Sequence, residues 1–203
     1  TRHILVCGTG AELLAEACGF SGELHPRLSR REEYEREKRA WLEHPDEWLF
    51  QGLGPKTSSG SDSDTVGAVA MDGDGRFAAA TSTGGLPFKL PGRIGDAPLV
   101  GHGYYAMREA GAASTSGIGE AISRYGLSLR AVLRMGDGTT AQEAAEEGIA
   151  GLTGLFGPET AGIILIDRTG SPGVFFNTGG MAVGYGRAGT EPGARIVMGE
   201  DLG

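Results

Sequence analysis

Apolar, small and polar positions are distributed unevenly along the chain. His3–Cys7 is an apolar run followed by Gly8-Thr9-Gly10. From Ala11 to Cys18, Leu13, Leu14 and Ala17 share one face, which predicts a short helix. Residues 30–43 (RREEYEREKRAWLE) predict a charged helix. Its apolar stripe is limited to Tyr34, Trp41 and Leu42, and the charges read as a solvated face. Residues 51–64 (QGLGPKTSSGSDSD) contain almost nothing to bury and read as a flexible linker.

The pattern changes at Thr65. Thr65–Met71 predicts a small-residue strand, Asp72-Gly73-Asp74-Gly75 a hairpin turn, and Arg76–Ser82 the returning strand. The DGDG segment lacks the bidentate Glu that a calcium loop carries at position 12, so it reads as a turn. Residues 83–103 form a Gly/Pro-rich loop of a length usually reserved for function. A strand near 110–115, helices over about 118–134 and 140–155, strands over 162–167 and 173–177, and a last strand near 194–198 follow. This order predicts a layered α+β fold. The chain divides into 1–64, with the linker at its end, and 65–203, as one composite domain.

Composition narrows the partners. The 203 residues are 39% hydrophobic and 22% charged, with a net charge of −8. That acidity argues against nucleic acid and against an anionic membrane surface. No apolar run approaches the roughly 20 residues of a membrane span, and no signal-peptide pattern opens the chain. Two cysteines, Cys7 and Cys18, are too few for a disulfide framework, so a cytoplasmic location is expected. Both read as small buried hydrophobes. Glycine is the outlier. Of 37 glycines, seven lie in residues 1–64 and 30 in residues 65–203. They have no period of three and are interleaved with apolar strands such as Gly162–Ile166. Collagen and disorder are thereby disfavoured, and tight turns and close backbone approach favoured.

Familiar catalytic signatures are missing. There is no GxSxG elbow and no GK[ST] loop. Gly8-Thr9-Gly10 and Gly117-Ile118-Gly119 are too short for dinucleotide fingerprints. His3, His25, His44 and His102 are scattered without zinc-ligand spacing, so no metal site is expected. A set of hydroxyls, one Arg and one Asp remains in the Gly-rich half. Thr65 opens a strand directly after the linker and Asp64. Thr83 closes Thr81-Ser82-Thr83-Gly84-Gly85, and Gly92-Arg93-Ile94-Gly95-Asp96 and Ser114-Thr115-Ser116-Gly117 follow. A Thr hydroxyl is a weak nucleophile, unless an adjacent base such as its own free α-amine takes the proton. Arg93 and Asp96 could grip the carboxylate and ammonium of one zwitterion, or form a local ion pair among ordinary Ser/Thr turns.

The run from Asp64 to Ala106 resembles the core of the plant-type L-asparaginase / isoaspartyl peptidase family of N-terminal-nucleophile hydrolases. TVGAVA, AAATSTGG, LPGRIGD and PLVGHGYYA occur in order, and Gly117-Ile118-Gly119-Glu120 and Phe176-Asn177-Thr178-Gly179-Gly180-Met181 continue the likeness. Residues 3–20 resemble the late part of that family's α subunit. The resemblance implies a four-layer αββα sandwich. It also implies self-cleavage between Asp64 and Thr65 into an α chain (1–64) and a β chain (65–203). Thr65 would be the nucleophile on a small-molecule substrate, L-asparagine or a β-aspartyl dipeptide. Thr83 would support its hydroxyl, and Arg93 and Asp96 would hold the substrate α-carboxylate and α-ammonium. Ser116 and Gly117 occupy the family's Thr-Gly oxyanion positions and would also contact substrate. No cofactor is implied for the chemistry. The family's sodium-binding loop and an oxyanion-side Asn would precede Thr1, so the sodium site is expected outside this chain. Family members pair as a dimer of αβ units. Asp64, where many members have Gly, keeps a glycosylasparaginase as an alternative, although Gly84-Gly85, LPGR and NTGGM look asparaginase-like. The short front keeps a second alternative, a non-catalytic remnant acting as a binding or assembly module.

Overall fold

A computed structural model describes residues 2–20, 28–43, 65–86, 89 and 92–198. The chain forms two compact units, Thr1–Asp62 with Leu86–Arg93, and Ser63–Gly85 with Ile94–Gly203. In the first unit, α1 (Thr9–Ala17) and α2 (Leu28–Glu43) are the described elements. The apolar run at His3–Cys7 forms no strand. α1 buries none of its residues, and Leu13 and Leu14 are exposed. Cys7 and Cys18 are exposed free thiols, which corrects their reading as buried hydrophobes: among the described residues α1 has no buried position, and neither thiol has a core to enter. Tyr34 and Leu42 of α2 are likewise exposed.

The second unit is a layered α+β structure. A four-stranded antiparallel sheet runs in the order β3 (Tyr104–Met107), β4 (Gly111–Gly117), β5 (Ala161–Asp167), β6 (Pro172–Phe176). Three helices cover one of its faces: α3 (Gly119–Tyr125), α4 (Leu127–Gly136) and α5 (Ala141–Phe156). Ala113, Ile163 and Leu165 point into this core and meet Ile122, Val132, Ile149 and Leu152. The expected single helix over 118–134 is two helices, because Gly126 takes a left-handed conformation at φ 70° and ends the first. α5 starts with a reciprocal capping box. The Thr140 hydroxyl accepts from the Glu143 amide, and the Glu143 carboxylate accepts from the Thr140 amide. Its buried positions, Ala141, Ala144, Ala145, Gly148, Ile149 and Leu152, recur at helical spacing.

Two hairpins lie on the sheet's other face. β1 (Thr65–Met71) pairs with β2 (Phe77–Thr83), and β7 (Gly180–Tyr185) pairs with β8 (Gly193–Met198). Gly67 sits on Ser114, with no room for a Cβ, and Met181 lies against Gly162. Ser114 and Gly162 share one face of the sheet, since Ser114 pairs with Ile164. β4 is therefore covered on both sides, which explains its run of small residues, GAASTSG, buried from Gly111 to Thr115. The Asp72 carboxylate closes the β1–β2 turn by accepting from the amides of Asp74 and Arg76. The helices, the sheet and the hairpin layer make three layers of the expected α+β arrangement. The hairpins' outward positions, including Val66, Ala68, Ala70, Ala78 and Ala80, are exposed. Among the described residues no helix is long and apolar enough to cross a membrane.

Candidate active site

The β1–β2 register brings two threonines together. Seven rungs run from Met71↔Phe77 at the turn to Thr65↔Thr83 at the open end. There the Thr65 hydroxyl donates to Thr83 Oγ1 at 3.0 Å. Thr83 Oγ1 also accepts from the Gly85 amide at 3.0 Å. Gly85 has φ 74°, a conformation that suits glycine, and this gives a local reason for the second glycine of Gly84-Gly85.

Two contacts set the direction of β1 across the sheet. Gly67 lies on Ser114, and Met71 lies against Gly170, in the turn after Asp167, which pairs with Gly111. Thr65 is thus directed toward the end of β4 that carries Ser116 and Gly117. Gly117 has φ 144°, and a Cβ there would run into the Thr160 carbonyl. The next amide, that of Ile118, donates to this same carbonyl at 2.8 Å.

Asp96 is 8% exposed. Its carboxylate is 3.4 Å from the Thr115 hydroxyl, and its carbonyl accepts from the Leu99 and Gly103 amides. Thr65, Thr83, Asp96, Ser116 and Gly117 all belong to the second unit, while Arg93 belongs to the first. Asp64 lies outside the described residues. His102 contributes its backbone carbonyl, which accepts from the Thr115 hydroxyl at 3.0 Å, whereas its Nδ1 is buried without a hydrogen-bond partner among the described residues.

Several supporting residues went unrecognised in the sequence. Thr81 and Ser114 bond to each other between the hairpin and the sheet at 2.6 Å. Their signal is a hydroxyl at an inward strand position where the alternation calls for an apolar residue. Asn177 occupies a dense knot. Its Oδ1 accepts from the Thr160 and Ala161 amides at 2.8 and 2.9 Å, and its Nδ2 donates to the Thr153 and Thr160 hydroxyls at 2.7 and 2.8 Å. The knot fixes the start of β5, on which Gly117 packs. At the far end of β5, burial tends to raise the Asp167 pKa. Hydrogen bonds from the Thr169 hydroxyl and from the Thr169, Ser171 and Ala141 amides outweigh it and hold the carboxyl below the ordinary aspartate value. Among the described residues no group of three or more His, Cys, Asp or Glu side chains could hold a metal ion.

Comparison with known proteins gives the same direction. The family profile described as "Asparaginase" matches residues 1–194. A plant-type L-asparaginase of Pyrobaculum calidifontis is 41% identical over 191 residues, covering 93% of this chain and 61% of its own length. An isoaspartyl peptidase of Escherichia coli K12 is 39% identical over 194 residues, covering 94% of this chain and 59% of its own length. The plant-type L-asparaginase of Pyrococcus furiosus is 36% identical over 199 residues, covering 97% and 64%. The chain belongs to the asparaginase family, whose relatives include plant-type L-asparaginases and isoaspartyl peptidases. It spans about three fifths of the length of these curated relatives.

Proposed function

We propose that this chain is a self-processing amidohydrolase acting on the side-chain amide of L-asparagine or the isopeptide bond of β-aspartyl dipeptides. The observation that carries the reading is the Thr65–Thr83 hydroxyl pair at the open end of the hairpin, directly after the segment expected to be cut. In processing, the Thr65 hydroxyl attacks the Asp64 carbonyl, and the acyl group moves from nitrogen to oxygen. Water then hydrolyses the ester, leaving Asp64 with a carboxylate and Thr65 with a free amine. In turnover, that amine takes the Thr65 hydroxyl proton as the oxygen attacks the substrate's side-chain carbonyl. Ammonia or the amine of the leaving peptide departs with a proton, and water releases aspartate from the acyl-enzyme. Thr83 holds the Thr65 oxygen, and donors at Ser116 and Gly117 meet the oxyanion, each worth roughly 3 kcal/mol. Arg93 takes the substrate α-carboxylate and Asp96 its α-ammonium.

The fold that goes with this reading is the αββα sandwich, with a further helical layer on the hairpins' outward apolar positions. The processed fragments would stay together and pair as a dimer of αβ units. Mass spectrometry of the purified chain is the first test. Two fragments, the smaller ending at Asp64, are expected from the wild type and a single uncut chain from Thr65→Ala. Cleavage at this bond in Thr65→Ala would refute the assignment of the nucleophile. Parallel assays with L-asparagine, a β-aspartyl dipeptide and a glycosylasparagine then rank the substrates. Preference for the last would move the chain to the glycosylasparaginases, and hydrolysis of none of them to a binding role.

A further inference from the structure

Behind the terminal Thr65–Thr83 pair, the inward positions of the hairpin are Gly67, Val69, Met71, Phe77, Ala79 and Thr81. Thr81 is the single hydroxyl among these six, and it meets Ser114 on β4. A hydroxyl between two sheets is costly unless bonded, and an apolar residue would fill this layer more cheaply. Thr81 is nevertheless well bonded. It donates its one proton to the Gly103 carbonyl at 3.0 Å, which leaves Ser114 as the donor in the 2.6 Å contact. The 3.0 Å contact from Thr81 to the Gly103 carbonyl is shorter than the alternative 3.3 Å contact from Ser114 to the Ala80 carbonyl, which favours the order Ser114 to Thr81 to Gly103.

Gly103 joins three segments, those of Thr81, Thr115 and Asp96. Its carbonyl accepts from Thr81, two residues before Thr83, and from the amide of Thr115, one residue before Ser116. Its own amide donates to the Asp96 carbonyl at 3.1 Å. A Cβ at 103 would collide with the backbone of Asp96 and Ala97, so the two segments are in direct contact.

We propose that Thr81 and Ser114 are positioning residues. Through the Gly103 carbonyl they lock the nucleophile's hairpin, the Ser116–Gly117 strand end and Asp96 into one frame. The purpose of the frame rests on the functional reading above. Both side chains are part-buried and bonded between the hairpin and the sheet. Apolar contacts between sheets resist separation but oppose small sliding weakly, whereas a directional hydrogen bond fixes the offset. Reacting groups misplaced by about 1 Å can lose about a hundredfold in rate.

The test uses the full chain and three substitutions. Thr81→Val keeps the shape and removes the hydroxyl, Thr81→Ser restores the hydroxyl, and Ser82→Ala alters the exposed face of the same strand. Amide hydrogen exchange at Gly103 and Thr115 is expected to accelerate about tenfold or more in Thr81→Val, the loss of roughly one hydrogen bond's worth of protection. It should stay at the wild-type rate in Thr81→Ser and Ser82→Ala. Unchanged exchange in Thr81→Val overturns the frame. On the kinetic side, kcat per titrated active site should fall about tenfold in Thr81→Val and recover in Thr81→Ser. A lower melting temperature with kcat per active site unchanged would mean structural support only, and would also overturn it. Should Thr81→Val fail to fold, Ser114→Ala, which leaves the Thr81–Gly103 bond in place, is expected to give the same pattern at smaller amplitude. A wild-type chain that hydrolyses nothing overturns the functional reading alone, and the exchange pattern still decides the frame.

Discussion

Replacing Asn177 by alanine should be among the most damaging single changes outside the hydrophobic core. The carboxamide oxygen is the acceptor for the amides of Thr160 and Ala161, two residues that are 2% and 0% exposed. Each buried amide left without an acceptor costs about 1–3 kcal/mol. The Thr153 and Thr160 hydroxyls suffer less, because they keep their own acceptors in the carbonyls of Ile149 and Gly157. The expected loss is therefore about 3–4 kcal/mol, a large share of the roughly 5–15 kcal/mol that holds a domain together. At about 2–4 °C per kcal/mol for this chain length, the melting temperature falls by roughly 10 °C. Asn177→Asp separates the two halves of the knot. An aspartate keeps an acceptor for both amides, but its second oxygen meets two hydroxyls already committed elsewhere, so about half the loss should return. Urea unfolding followed by circular dichroism, with the three proteins at equal m-values, measures the series. An alanine variant within about 1 kcal/mol of wild type, or an aspartate variant less stable than the alanine one at pH 7, would show that the knot does not hold the start of β5.

Other expectations concern charge and proton transfer. Arg93→Ala should leave processing intact and lower kcat/KM by roughly 30-fold to several thousand-fold, the cost of about 2–5 kcal/mol for losing one partner of a desolvated ion pair. Equal rates on substrates with and without a free α-carboxylate would refute the clamp. Asp167 has a depressed pKa in the folded chain, so its contribution to stability is complete above the unfolded value of about 3.9 and is lost as pH falls through the lower folded value. Denaturation at pH 7, 4 and 3 should show this acid loss in wild type and a flatter profile in Asp167→Asn. If the Thr65 amine is the base, kcat/KM rises through a pKa below the usual 7.7–8.0 of an α-amine. Selective N-terminal acetylation of processed protein should then abolish turnover, and survival of activity would assign the proton elsewhere.

Much of the second unit was legible because its signals are local. The hairpin at Asp72–Gly75 was marked by its turn residues, and the helix expected over about 140–155 forms as α5 at Ala141–Phe156. β3 and β7 were missed. Tyr104–Met107 has four residues and sits within Gly-rich surroundings, and Gly180–Tyr185 reads as loop because glycine occupies two of its six positions. The break at Gly126 was hidden for a different reason, since apolar periodicity runs on through it and only the backbone reveals the left-handed residue. Thr65 and Thr83 were visible as motif members, and their meeting followed from strand register, which depends on turn length. The roles of Thr81, Ser114 and Asn177 depend on which layer stacks on which, and no short-range pattern carries that information.

The rung at the open end of the first hairpin has a bearing on entropy. Chain termini ordinarily fray, and a catalytic group placed on one has to be ordered anew for every reaction. Thr65 is paired with Thr83 on the first rung, with six further rungs behind it down to Met71↔Phe77. A chain that began at Thr65 would have its terminus woven into a sheet from the first residue. The backbone ordering of that residue, about 1–2 kcal/mol, would then be met once, during folding, rather than at each encounter with substrate.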